Sequence, residues 1–158
     1  MIANQATIAT GVTLMVGAGL VLSNLLRDLG APRALARYVA PWFAGAAFLI
    51  AAMWLEPAIA IPLAVALTLV MVALKLLRSS ALRGVEGRFT SQAWAEISFS
   101  VAGVTSLVIG WGLLGDPWLG FLPLAFMAWG DTASGLTRSI LPRSKAGSVW
   151  PSLAMVTA

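Results

Sequence analysis

The sequence predicts an all-α integral membrane protein, a polytopic bundle of five transmembrane helices with a short or truncated sixth and its N-terminus outside. Composition is the first indication: 59% of the 158 residues are hydrophobic and only 10% are charged. Soluble domains are about 45–50% apolar and about 25% charged. A second indication is a series of long apolar runs. A third is that positive charge is confined to alternate connections between these runs. We expect one integral-membrane domain, residues 1–158.

The apolar runs define the expected spans. Crossing a bilayer takes about 20 predominantly apolar residues in a helix. The five candidate runs are residues 7–26, 38–55, 58–77, 93–114 and 118–129. The fifth is short unless its helix continues past Gly130, whereas Pro57 and Pro117 predict the starts of the third and fifth helices. A sixth run, 147–158, is too short to span, so we expect a truncated chain or a partial or re-entrant segment.

The distribution of charge predicts the orientation. All ten Lys and Arg residues lie in three segments, at about residues 27–37, 75–92 and 131–146. The two remaining connections carry only Glu56 and Asp116. The positive-inside rule therefore predicts that the three basic segments are cytoplasmic loops of a protein in the cell membrane. No Lys or Arg precedes the first run, so we expect a retained span there rather than a signal peptide.

Composition also limits the chemistry. The chain has no cysteine and no histidine, which excludes disulfides, thiolate metal sites and the commonest general base. A bound metal would be a hard cation on oxygen ligands, and Mg²⁺ is the natural candidate. The net charge of +4 is explained by the cytoplasmic loops, so we expect no nucleic-acid partner. Glycine-rich helix faces are compatible with a homo-oligomer, but no feature requires one.

One stretch concentrates the polar chemistry: residues 129–138, followed by residues 143–148. Asp131 follows an unbroken apolar run, and in a helix it shares one face with Gly135 and Arg138. A carboxylate there can hold Mg²⁺ that bridges phosphate oxygens, and an arginine can donate two parallel hydrogen bonds to phosphate. Gly135 leaves room for a phosphate oxygen to approach the backbone. The alternative, equally compatible with the residue types, is an ordinary cytoplasmic loop.

Two further features bear on a phosphate site. Lys145 adds a positive charge, and Gly147 and Ser148 offer backbone N–H donors near the start of a helix. Glu96 lies one turn into the fourth run, where an ionisable group is costly and often functional. It is either an active-site residue or a side chain that caps the helix or extends to the membrane surface.

Residues 126–135, together with Lys145-Ala146-Gly147-Ser148, resemble the nucleotide-site region of the phytol kinase and dolichol kinase family. These membrane enzymes are related to the CTP-dependent phosphatidate cytidylyltransferases. The shared pattern is an apolar helix that ends in Gly-Asp, a small residue and a glycine, then a basic loop, a lysine and Gly-Ser. The similarity is specific over about the last third of the chain. The family's Arg-Lys pair and histidine near the early helices correspond to residues 37–41, which contain Arg37 but neither Lys nor His.

The resemblance implies a CTP-dependent kinase that phosphorylates an isoprenoid or other lipid alcohol at the cytoplasmic face, with Mg²⁺ and with CTP or ATP as donor. Its expected catalytic residues are Asp131, which also binds the metal, Lys145 and Glu96. Its expected nucleotide-binding residues are Gly130, Gly135, Arg138, Arg143, Gly147 and Ser148. A cytidylyltransferase that acts on a lipid phosphate and a non-catalytic membrane homologue or subunit remain alternatives. A transporter is disfavoured because no paired charges lie in mid-span.

Overall fold

The structure, a computed structural model, describes residues 2–83, 85 and 95–140, with the side chains at 2, 3, 34, 95, 96 and 138–140 outside that description. The described part is helical and contains no strand, which confirms the all-α prediction. Its helices are α1 (Ile2–Asp28), α2 (Arg33–Trp54), α3 (Pro57–Leu76), α4 (Ala95–Leu107), α5 (Pro117–Ala125) and α6 (Asp131–Ile140). A short 3₁₀ turn, Ser80–Leu82, follows α3.

Three described helices are long and apolar enough to cross a membrane: Asn4–Asp28, Leu35–Trp54 and Pro57–Leu76. They correspond to the first three predicted runs. Large apolar side chains also cover the outside of the bundle; for example, Leu14 is 68% exposed and Leu69 is 63% exposed. Such extensive apolar surface is typical of a protein surrounded by lipid. The chain therefore has the features of a membrane protein.

The described parts of the fourth and fifth runs form helices that contain π-helical segments. A π-helical segment, Val108–Leu113, continues α4, and a second one, Phe126–Gly130, joins α5 to α6. The backbone is thus helical from Pro117 to Ile140, so the fifth helix continues through Gly130 into the segment expected to be a loop. Pro123 lies three residues before the second π segment and cannot donate a backbone hydrogen bond, which loosens the α-helical ladder there.

Two basic segments meet at one end of the bundle, which we call the basic end. The Asn24 side chain, near the end of α1, donates a hydrogen bond to the carbonyl oxygen of Ala81 at 2.7 Å. The Arg27 guanidinium likewise donates to the carbonyl oxygen of Arg83. The Ser23 hydroxyl is fully buried and donates to the carbonyl oxygen of Ala36 in α2. The first two bonds join the end of α1 to the connection after α3, and the third joins α1 to α2.

The opposite end carries the two acidic connections. The Gln5 side chain accepts a hydrogen bond from the backbone N–H of Glu56 and donates to the carbonyl oxygen of Trp54. Asp116 caps α5 by accepting a hydrogen bond from the backbone N–H of Trp118 at 2.8 Å. Pro57 and Pro117 each occupy the first turn of a helix, which confirms both predicted helix starts.

Small residues allow close helix packing in the core. Buried alanines lie along α2 and α3, and the side chains of Leu107 and Leu124 fill the centre. Gly110 lies directly against the backbone of Gly120, where the α4 and α5 segments cross. The Ser106 hydroxyl donates a hydrogen bond of 2.8 Å to the carbonyl oxygen of Gly120 at the same crossing. This contact fixes the hairpin that leads to Asp131.

Candidate functional site at the basic end

A cavity of about 170 Å³ opens among α1, α2, α3, α4 and the second π segment. Five residues with ionisable or hydroxyl side chains line it, and three of these, Arg37, Tyr38 and Asp131, come from α2 and α6, which pack against each other. We call these three residues the polar end of the cavity. The remaining wall is mostly apolar and includes Val16, Ala44, Phe48, Ala64, Leu67 and Met127. The cavity therefore has the shape and polarity of a site for an amphiphile.

The second π segment leads directly to Asp131. Gly130 ends this segment and is buried, whereas the Asp131 side chain is exposed while still lining the cavity. The Thr132 side chain is 2% exposed and donates a hydrogen bond to the carbonyl oxygen of Ala128 at 2.5 Å. A π turn changes which face the following residues occupy, and such turns are frequent at functional sites. Asp131 is thus held at the cavity but remains accessible to a soluble ligand.

Helix α2 supplies the other two polar residues and also holds the π segment in place. A Cβ atom added to Gly45 would lie 2.8 Å from the Ala128 Cβ and 2.9 Å from the Trp129 Nε1, so the helices can approach this closely only with glycine at position 45. The Trp129 indole N–H donates to the carbonyl oxygen of Trp42 at 3.5 Å. These contacts bring the start of the third basic segment to the basic end.

Gly135 has a packing role that the sequence did not indicate. A Cβ atom at this position would collide with the hydroxyl and ring of Tyr38. The sequence predicts that Gly135 leaves space for a phosphate oxygen, but in the structure the space beside its Cα is taken by the Tyr38 phenol. The glycine therefore allows Tyr38 to lie between α2 and α6. Its contact with nucleotide stays a prediction.

We expect Gly135→Ala to lower the free energy of unfolding by about 1–3 kcal/mol, the usual cost of overpacking. The loss should be largely relieved when Tyr38→Ala is added, because the colliding ring is then absent. The unfolding midpoints of the wild type, both single variants and the double variant, measured in detergent, give the coupling energy. Strictly additive effects would show that the two residues do not touch.

The remaining predicted site residues are only partly described. Arg138 lies in α6, nearly two turns after Asp131, and Glu96 lies in α4, but both side chains are outside the described part. Lys145, Arg143, Gly147 and Ser148 lie outside the described residues altogether. Of the predicted residues, the structure therefore places Asp131 at the cavity, and the roles of the others stay predictions.

Sequence reasoning did not select Arg37 and Tyr38 as site residues. Arg37 was interpreted through the charge of the first basic segment, and the tyrosine, which is the only one in the chain, has no motif around it. The sequence signal that could have indicated them is their position, because residues 37–41 correspond to the polar residues near the early helices of the family that the chain resembles. Only the packing of α6 against α2 shows that these residues and Asp131 line one cavity.

The donor set fits one mode of Mg²⁺ binding. Within residues 2–83, 85 and 95–140, no group of three or more Asp, Glu, His or Cys side chains could form a metal site. Mg²⁺, however, usually keeps several waters and takes only one or two protein carboxylates together with substrate phosphates. The exposed carboxylate of Asp131 suits an ion that arrives with a nucleotide, and does not suit a permanent protein cage.

Comparison with family models, with curated proteins and with solved structures finds no match to this chain. The features that bear on function are therefore the cavity, its residues and the sequence pattern around Asp131.

Proposed function

We propose that the protein is a membrane-embedded, CTP-dependent lipid kinase that phosphorylates an isoprenoid or other lipid alcohol at the cytoplasmic face. The observation that carries this proposal is the cavity, which joins a polar end containing Asp131 and Arg37 to an apolar interior. A lipid alcohol needs such an environment, because its hydroxyl must meet a charged phosphate donor while its tail stays away from water. The Gly-Asp pattern supports a nucleotide as the donor.

The side chains at the polar end have complementary roles. The Arg37 guanidinium can donate paired hydrogen bonds to phosphate oxygens. Asp131 would hold the Mg²⁺ of the nucleotide, and this ion supplies neutralisation of the phosphate charge. The further cations proposed to contact the phosphates are Arg138, Arg143 and Lys145. The proposed backbone contacts to phosphate are Gly130, Gly147 and Ser148.

In the proposed reaction the lipid hydroxyl oxygen bonds to the γ-phosphorus as the bond from that phosphorus to the β–γ bridging oxygen breaks. CDP leaves, and the hydroxyl proton passes to a carboxylate, for which Glu96 is the candidate. Phosphoryl transfer of this kind depends mainly on positioning and on charge stabilisation. Few protein groups are therefore required, which suits a site with so few charges.

A cytidylyltransferase would use the same residues, since Arg37 at the cavity fits a lipid phosphate as well as a nucleotide phosphate. In that reaction an oxygen of the lipid phosphate attacks the α-phosphorus and pyrophosphate leaves. The two reactions differ in which phosphorus of the donor reaches the lipid, so the position of a radioactive label distinguishes them.

The proposal requires the basic end to face the cytoplasm, and the absence of cysteine makes this testable. Leu29 at the basic end is 74% exposed, and Glu56 at the other end is exposed and makes no side-chain cap. We expect a membrane-impermeant maleimide to label Glu56→Cys in intact cells, and Leu29→Cys only after permeabilisation. The reverse pattern would place the cavity on the wrong side for a cytoplasmic nucleotide.

Nucleotide binding tests the proposal without a known lipid. We expect the purified protein in lipid nanodiscs to bind CTP in the presence of Mg²⁺, and the affinity to fall when EDTA removes the ion. Equilibrium dialysis with labelled CTP measures this directly, with ATP as the competing donor. Failure to bind either nucleotide would leave the non-catalytic homologue as the better interpretation.

A further inference from the structure

Helix α1 ends, at the basic end, in a Schellman motif, a turn that satisfies the last backbone carbonyl groups of a helix. The backbone N–H of Ala31 donates to the carbonyl oxygen of Leu26 at 2.9 Å, and the N–H of Gly30 donates to that of Arg27 at 3.1 Å. The turn requires one residue with left-handed backbone, and Gly30 supplies it with a φ angle of 77°. Glycine is the usual residue at this position because it has no Cβ atom to collide with the backbone.

Helix α3 ends in the same turn, but its left-handed residue is an arginine. The backbone N–H of Ser79 donates to the carbonyl oxygen of Leu74 at 2.9 Å, and the N–H of Arg78 donates to that of Lys75 at 3.1 Å. Arg78 has a φ angle of 50°, and no other non-glycine residue has a positive φ within residues 2–83, 85 and 95–140. This backbone conformation is unfavourable for a residue with a Cβ atom, so the arginine is held at a cost that glycine would avoid.

The side chains that precede Arg78 indicate the depth at which it lies in a membrane. Leu69 and Leu76 are 63% and 68% exposed and lie on one face of α3, seven residues apart, and Leu77, which caps the helix, is 78% exposed. Helix α3 is apolar enough to cross a membrane, so this exposed face contacts lipid up to the end of the helix. Arg78 follows directly and is also exposed. Its guanidinium therefore lies at the level of the lipid headgroups.

The guanidinium of Arg78 suits a phosphate ligand. Among the residues that the structure describes, its side chain has no hydrogen-bond or ion-pair partner. Residues 75–83 also contain Lys75 and Arg83, and they contain no acidic residue. An arginine can donate two parallel hydrogen bonds to a phosphate group, and cations clustered just beyond a membrane span favour lipids of net negative charge.

We propose that Arg78 binds an anionic phospholipid, with its guanidinium on the lipid phosphate and the acyl chains along the exposed face of α3. Glycine would make the less strained turn at this position, but only the arginine supplies the phosphate contact. The bound lipid is a structural partner that stabilises the basic end. The inference does not depend on the proposed function, because the lipid is not the substrate of any reaction.

Lipid affinity tests the proposal directly. We expect native mass spectrometry to show tighter binding of phosphatidylglycerol than of phosphatidylcholine. Arg78→Gln should lower the affinity for phosphatidylglycerol by about fivefold, the contribution of one cation close to an anionic lipid. Arg33→Gln is the matched control, since it removes an exposed cation from the start of α2 at the same end of the bundle. Its effect should be less than about twofold, because a more distant charge is screened.

The strain at Arg78 gives a second readout, in which the expected effect has the opposite sign. In nanodiscs of phosphatidylcholine alone, Arg78→Gly should raise the unfolding midpoint by about 2–4 °C, because glycine accepts the left-handed backbone. Addition of phosphatidylglycerol should then raise the midpoint of the wild type more than that of Arg78→Gly, since a ligand of the folded state stabilises it.

Three results would overturn the inference. The first is equal affinity for the two lipids, or an equal loss in Arg78→Gln and Arg33→Gln, which would indicate a diffuse surface charge. The second is displacement of bound phosphatidylglycerol by inorganic phosphate, which would identify the ligand as a free anion. The third is a midpoint for Arg78→Gly at or below that of the wild type in phosphatidylcholine, which would show that the arginine is not kept at a cost.

Discussion

Asp131→Asn is expected to lower the rate of phosphoryl transfer to lipid by on the order of 10²–10³-fold, the usual cost of losing one group that stabilises transition-state charge. Asparagine keeps the size of the side chain but removes the negative charge that would hold Mg²⁺ against the phosphates. The side chain is exposed, so the substitution should leave the unfolding midpoint nearly unchanged. The rate is measured with γ-labelled CTP and a single-chain lipid alcohol.

Asp116→Asn is the matched control for this prediction. Asp116 is a partly exposed carboxylate that caps α5, and it lies at the end of the bundle opposite the cavity. Asparagine caps a helix about as well as aspartate does, so folding and transfer should both stay at the wild-type level. Wild-type activity in Asp131→Asn, or an equal loss in both variants, would show that Asp131 has no special part in the reaction.

Gly110→Ala is expected to have the largest effect on stability, lowering the free energy of unfolding by about 3 kcal/mol, at the upper end of overpacking costs. An added Cβ atom would lie 2.6 Å from the carbonyl carbon of Leu119 and 2.7 Å from the Cα of Gly120. These are backbone atoms, so no side-chain rotation relieves the collision. The α4 and α5 segments would have to separate, which also displaces the helix that carries Asp131.

Gly17→Ala is the control, because a Cβ atom there meets no other atom within 4 Å. Both glycines are in helical backbone, and alanine is favoured over glycine in a helix by about 0.5–1 kcal/mol. We therefore expect effects of opposite sign, with Gly17→Ala neutral or slightly stabilising. Unfolding midpoints in detergent measure both, and equal midpoints for the two variants would show that the Gly110–Gly120 contact is not tight.

The first three long helices were predictable because bilayer-crossing helices need long apolar runs. Each of the first three predicted runs lies within a described helix or extends one residue beyond it; these runs are 7–26, 38–55 and 58–77. The continuation of the fifth helix beyond Trp129 was harder to predict, since Gly130 and the hydroxyl residues after it are compatible with a turn. Burial of Gly130 and Thr132 against neighbouring segments overrides that local tendency.

The site was only partly predictable for a different reason. Asp131 stands out in the sequence because it is an isolated carboxylate at the end of an apolar run. Arg37 and Tyr38 are more than ninety residues away from it, and their proximity depends on how α6 packs against α2. Gly135 was given a ligand-binding interpretation because its contact with Tyr38 is a tertiary contact, which no local pattern encodes.

The most direct test of the central claim is to measure which phosphorus of CTP reaches a lipid. The wild-type protein in nanodiscs is incubated with Mg²⁺, a single-chain lipid alcohol and CTP labelled at either the α or the γ position, and the lipid is then extracted. A lipid kinase transfers the γ label to the lipid and leaves the α label in CDP. Appearance of the α label in lipid would contradict the kinase assignment, and absence of both labels would contradict the enzymatic account.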